Sequence, residues 1–159
     1  MFNVAQELAR VRDVELVSVL RERDQALLPL PPGVTVTSLD DRRRSGRVSL
    51  LGRALSRVPS VLIHPDDDFF RSFSLRTDVL LLRRVRAVRS GVLLTTRPAF
   101  SAFAARAARP GVVLVAQEHT HLDALSGEIP AEIARTYGRL DAVVLLTERD
   151  RDNYAAMLA

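Results

Sequence analysis

The stretch that decides the fold is GVLLTTRPAFSAFAARAARPGVVLVAQ, Gly91 to Gln117. Val92 to Thr96 is an apolar run of strand length. Pro98 suits the first turn of a helix, where a missing N–H costs nothing. The residues from Pro98 to Ala108 are small except for Phe100 and Phe103, which predicts a helix that packs closely. Pro110-Gly111 turns the chain, and Val112 to Ala116 makes a second apolar run. Strand, helix and strand follow one another, and the strands lack polar alternation. That pattern predicts an α/β fold: a Rossmann-like parallel sheet with helices on both faces.

The same alternation extends outward. Phe2, Ala5, Leu8 and Ala9 make a helical stripe at the start. Val14 to Leu20 and Val34 to Leu39 read as strands, separated by the Pro31-Pro32-Gly33 break. Asp40 to Arg47 is a charged loop, Val48 to Arg57 a short helix, Val61 to Ile63 a brief strand, and His64 to Asp68 a turn. From Ser74, Leu75, Val79, Leu82 and Val85 recur at helical steps, with Gly91 as the closing glycine. Beyond Gln117 the pattern predicts a helix over Pro130 to Tyr137 and a strand over Ala142 to Leu146. A last helix follows, N-capped by Thr147, with Asp150 reciprocating as in a capping box. Residues 1–159 are read as a single domain.

Composition narrows the function. With 159 residues, 47% of them hydrophobic, the chain can bury a sizeable core. It has no cysteine, which excludes disulfides, thiolate metal sites and Cys nucleophiles and fits a reducing, cytoplasmic setting. The first 13 residues, MFNVAQELARVRD, lack the apolar core of a secretory signal. All 23 basic residues are arginine, yet the net charge is only +4. Nucleic-acid binding would need a localised patch that these totals do not supply, so no nucleic-acid partner is expected. No G-x-G-x-x-G or phosphate loop follows any strand, which argues against a self-contained nucleotide-binding domain, and no cofactor is expected.

In open α/β sheets, ligands bind beyond the carboxyl ends of the strands. That is where Gln117, Glu118, His119, Thr120, His121 and Asp123 fall. The spacing His119-x-His121-x-Asp123 resembles the start of the H-x-H-x-D-H motif of the metallo-β-lactamase fold. Ala124 stands where the next histidine belongs, and the other histidine is His64. A catalytic zinc usually needs three protein ligands, so no metal is expected. A metal-dependent hydrolase using His119, His121 and Asp123 remains an alternative, as does a non-catalytic α/β binding module.

The order VLLTTRPAFSAFAARAA, VVLVAQEHTHL, a helix, then YGRLDAVVLLTERDRDNYAAML resembles the N-terminal half of a family 4 glycosyltransferase. Leu140 to Thr147 with Asp150 and Tyr154, and Asn3-Val4-Ala5 through Leu8, carry the match elsewhere. TTRP and QEH resemble a subgroup associated with bacterial surface-polymer synthesis. The resemblance implies the GT-B architecture, two Rossmann-like lobes around a cleft. It implies transfer, with retention, from a nucleotide-sugar donor to a glycan, polyol or lipid-linked acceptor. The family's first strand with its glycine-rich turn is absent, and so is the second lobe that holds most of the donor. The expectation is therefore a partial acceptor-side lobe that transfers no sugar alone.

The resemblance implies that His119 is catalytic, lining the cleft, contacting the sugar or acceptor and stabilising the transition state; the alternative is a loop histidine satisfied by backbone. Glu118 beside it reads as a catalytic carboxylate that receives the acceptor hydroxyl proton or as a ligand of its hydroxyls, the alternative being a surface carboxylate. Arg97, Thr96, Thr120 and His121 are candidate substrate-binding residues. The alternatives are a salt bridge for Arg97 and a capping role for Thr96. Arg42, Arg43, Arg44 and Arg47, and Arg83, Arg84, Arg86 and Arg89, form two arginine groups. They leave two readings open: peripheral contact with anionic lipid at the inner face of the membrane, or a solvated surface.

Overall fold

The computed structural model describes residues 2–24, 29, 32–43 and 48–159. The Pro31 end of the proline break and the Arg44 and Arg47 part of the basic loop lie outside the described residues. The chain divides into two compact units, Met1–Ala54 and Leu55–Ala159.

The first unit carries α1 (Phe2–Leu8), β1 (Val14–Arg21), β2 (Val34–Asp41) and most of α2 (Leu50–Leu55). β1 and β2 pair in parallel, with Val14 opposite Val34 and Arg21 opposite Asp41. Asp40 and Asp41 draw in the next two arginines. Arg42 Nε donates to Asp40 at 2.9 Å, and Arg43 pairs with Asp41 at 2.5 Å. Arg42 also faces Glu22 at 3.6 Å and Arg43 faces Asp24 at 3.4 Å, so carboxylates largely offset the described part of this basic loop.

The second unit runs α3 (Leu75–Ala87), β3 (Gly91–Thr95), α4 (Pro98–Ala107), β4 (Val112–Gln117), α5 (Ile129–Thr136), β5 (Ala142–Val144) and α6 (Glu148–Leu158). The strands form a parallel sheet in the order β3-β4-β5. Gly91 lies opposite Val112, and Val115 opposite Ala142. The mixed α/β class, with parallel sheets flanked by helices, is as the apolar runs predict. Among the described residues, five strands are distributed over two sheets, one in each unit.

Side chains decide how the second sheet is sealed. Ala116, Ile129, Ile133, Tyr137 and Tyr154 form one buried cluster, with Val143, Leu145 and Met157 packed around it. Ala104, Val112 and Leu114 form another. Small residues along α4 let the helix lie close to the strands, and Ala102 and Ala104 are almost wholly buried. Arg106 of α4 pairs with Glu132 of α5 at 2.5 Å. Asp141 fastens the edge: its carboxylate accepts from the Leu114 N–H at 2.7 Å, while its own N–H donates to the Leu114 carbonyl at 2.9 Å. β5 is thereby held in register before it begins.

Two local expectations need correction. Val61–Ile63 is not a strand; it bends, and the neighbouring ladder contact is one isolated bridge between Pro59 and Ser74. Polar side chains take the hydrogen bonds a strand would need. Ser60 Oγ accepts from the Ile63 N–H at 3.0 Å, and Asp78 accepts from the Val61 N–H at 2.8 Å. Gly91 does not close α3. That helix ends at Ala87 with Val88 as its cap, and Gly91, at φ +92°, turns the chain into β3.

Candidate functional site

The carboxyl ends of β3, β4 and β5 collect the polar residues. At the end of β3, the Thr95 and Ser101 hydroxyls lie 2.8 Å apart. Thr96 is half-buried, and Arg97 occupies the N-cap position of α4 in extended conformation. The Arg97 side chain turns to the 64–68 turn, donating to Asp67 at 3.0 Å. Its guanidinium also lies 4.2 Å from the centre of the Phe69 ring. The Asp67 side chain is shielded from solvent while that of Arg97 stays partly exposed, so the pair forms part of the rim.

At the end of β4, the Glu118 N–H donates to Val144 O at 2.9 Å and prolongs the ladder toward β5. The side chain points inward and is 2% exposed. One carboxyl oxygen accepts from the Tyr137 hydroxyl and from Ser101 Oγ at 3.4 Å. The other oxygen has no hydrogen-bond partner among the described residues, and neither has the Tyr154 hydroxyl. Burial pushes the Glu118 carboxyl above its ordinary range, against the opposing pull of Tyr137, Ser101 and Arg97. Burial and the neighbouring Glu118 likewise raise Tyr137. Glu118 thus sits beneath the rim and supports it, whereas His119 and Thr120 beside it are exposed.

His121 is placed differently from His119. Its Nδ1 lies 2.6 Å from Asp150 Oδ2, with the His121 side chain 63% exposed and that of Asp150 7% exposed. Asp150 is the third residue of α6, where the helix N-terminus favours negative charge. The Thr147 hydroxyl donates to Asp150 Oδ2 at 2.7 Å, and Thr147 Oγ1 in turn accepts the Asp150 N–H at 3.1 Å. The Leu122 N–H adds a longer contact of 3.4 Å to Oδ1. Thr147, then His121, hold the Asp150 carboxyl below its ordinary range despite its burial. The expected capping pair exists, with Asp150 answering the Thr147 hydroxyl through its carboxylate.

The metal-like spacing does not become a cluster. His121 faces Asp150, and Asp123 pairs with Arg149 at 2.7 Å. Among the described residues, no three His, Asp or Glu side chains converge as a metal would need. Beside the Thr147 turn lies an open groove of about 320 Å³, lined by Val143, Leu145, Leu146, Thr147, Glu148 and Arg151.

Sequence reasoning brings Thr96, Arg97, Glu118, His119, Thr120 and His121 to the ends of two adjacent strands. It misses Tyr137, Ser101 and the link from Asp150 to His121. In the sequence Tyr137 reads only as the end of a helix and Tyr154 only as part of the family's final helix; an aromatic hydroxyl in a core segment, needing a partner once buried, is the available signal. Asp150 was legible as a capping residue, and the 29 residues separating it from His121 hid the contact.

No protein-family model matches the chain, and no solved structure does. An exopolysaccharide phosphotransferase of Streptomyces coelicolor is 31% identical over 159 residues, an alignment covering 95% of this chain and 17% of that protein. The chain therefore spans less than a fifth of the length of that relative.

Proposed function

We propose that the rim formed by the ends of β3, β4 and β5 is the acceptor-binding wall of a bacterial sugar transferase. The observation that carries this reading is the pair of exposed imidazoles, His119 and His121, at the ligand-bearing end of a parallel sheet. Neutral imidazoles can both donate to and accept from sugar hydroxyls. The relative's name, with its reference to exopolysaccharide, supports a sugar-polymer acceptor. In this reading Arg97, Thr96 and Thr120 flank the acceptor, and Glu118 fixes the end of β4 from below.

The reaction proposed is glycosyl transfer from a nucleotide-activated donor to a glycan, polyol or lipid-linked hydroxyl, in the GT-B manner. The donor is held mainly by a second lobe, and residues 1–159 alone transfer nothing. Phosphoryl transfer to the same acceptor is the second reading, favoured by the relative's name.

Titration of ¹⁵N-labelled chain with oligosaccharides from partially hydrolysed bacterial exopolysaccharide tests the wall directly. Shifts confined to residues 95–97 and 117–123 are expected, with none from a nucleoside diphosphate. Tight nucleotide binding, or oligosaccharide shifts only elsewhere, defeats the reading. Incubation with radiolabelled nucleotide sugars and the same oligosaccharides is expected to give no labelled product.

A further inference from the structure

We infer that His121 is the proton acceptor for the incoming hydroxyl, with Asp150 as its positioning residue. This rests on the acceptor-wall reading above. The two side chains differ sharply in exposure. A histidine that served packing alone would be buried with its partner; here the carboxylate is buried and the ring projects into solvent.

The carboxylate has anchors besides the imidazole. Thr147 Oγ1 and the Leu122 N–H hold it, and the first turn of α6 favours its charge. An ionised carboxylate 2.6 Å from Nδ1 can only accept, so Nδ1 carries a proton, and in the neutral ring Nε2 is left as the acceptor on the exposed side. An unconstrained histidine side chain prefers the proton on Nε2, so the dyad selects the other tautomer and aims it. Asp123 and Arg149, each within two residues of the dyad in sequence, are paired with each other. His119 makes no side-chain hydrogen bond among the described residues and lacks such an anchor.

The step balances simply. The acceptor O–H bond breaks and its proton moves to Nε2. The oxygen's electron pair forms the new bond to the electrophilic centre of the nucleotide-activated donor. The bond from that centre to the leaving phosphate breaks, and its pair departs with the nucleotide. Nε2 then releases the proton to the departing phosphate or to water.

The tautomer can be read on the wild-type chain by long-range ¹H–¹⁵N correlation of the histidine rings in their neutral state. His121 is expected to carry its proton on Nδ1. His64, whose Nδ1 accepts the Asp66 N–H at 3.2 Å, is expected to carry its own on Nε2, as an internal control. Diethyl pyrocarbonate, with the sites mapped by mass spectrometry, is expected to modify His121 faster than His119. Asp150→Asn is expected to abolish that excess while leaving the His119 rate unchanged, and bound oligosaccharide to suppress it. A proton on Nε2 of His121 overturns the inference without any variant. Oligosaccharide that shifts the rim resonances yet leaves the His121 rate unaltered also overturns it, with the acceptor wall intact. Absence of any oligosaccharide binding defeats the wall itself.

Discussion

At the residue scale, the site rests on two carboxylates whose surroundings push them in opposite directions. Asp150 is kept ionised by a hydroxyl, an imidazole and a helix terminus. Glu118 has a tyrosine hydroxyl and a buried, unmatched oxygen, and burial favours its neutral form. Because folding raises the Glu118 carboxyl above its ordinary value, the folded chain binds that proton more tightly than the unfolded chain does. Stability from this group is complete below the ordinary carboxylate range and is lost as pH rises through the folded value. Glu118→Gln removes the titration and keeps the shape. Its melting temperature relative to wild type should therefore climb between acid and neutral pH; a difference independent of pH would place Glu118 in a solvated setting. None of this was legible from QEHT alone, since adjacent residues of a strand end face opposite ways and the sequence does not say which is buried.

At the element scale, β3, α4, β4, α5 and α6 were legible because their apolar patterns agree with their turn residues. The strand expected at Val61 failed where Ser60 and Asp78 supply hydrogen bonds that the pattern does not encode. The side chain of Asp141 adds a hydrogen bond to the Leu114 N–H at the start of the short β5, so Asp141→Ala should cost about 1–3 kcal/mol in urea unfolding by leaving that N–H without its partner. Thr147→Ala removes the cap of α6 and should cost about 1 kcal/mol, while also loosening Asp150 and so slowing modification of His121. Ile133 is fully buried between α5 and the sheet. Ile133→Ala should cost about 2–5 kcal/mol, and a smaller loss would mean that the cluster collapses around the gap.

At the scale of the whole molecule, one face of the β3-β4-β5 sheet lies under α4 and α5, while the other displays Val92, at 64% exposure, with Val113 and Val144. Among the described residues no helix is long and apolar enough to cross a membrane. Arg42 and Arg43 are matched by carboxylates. Replacing Arg42 and Arg43 by alanine is therefore expected to leave co-sedimentation with anionic vesicles at ~0.15 M salt unchanged; a loss of salt-sensitive binding would instead assign this pair to a lipid surface. The measurement that bears most directly on the acceptor wall is the oligosaccharide titration of the labelled chain. Saturable shifts at 117–123, with His121 protected from modification, are expected. Saturable binding that leaves that segment and both of its imidazoles untouched would contradict it.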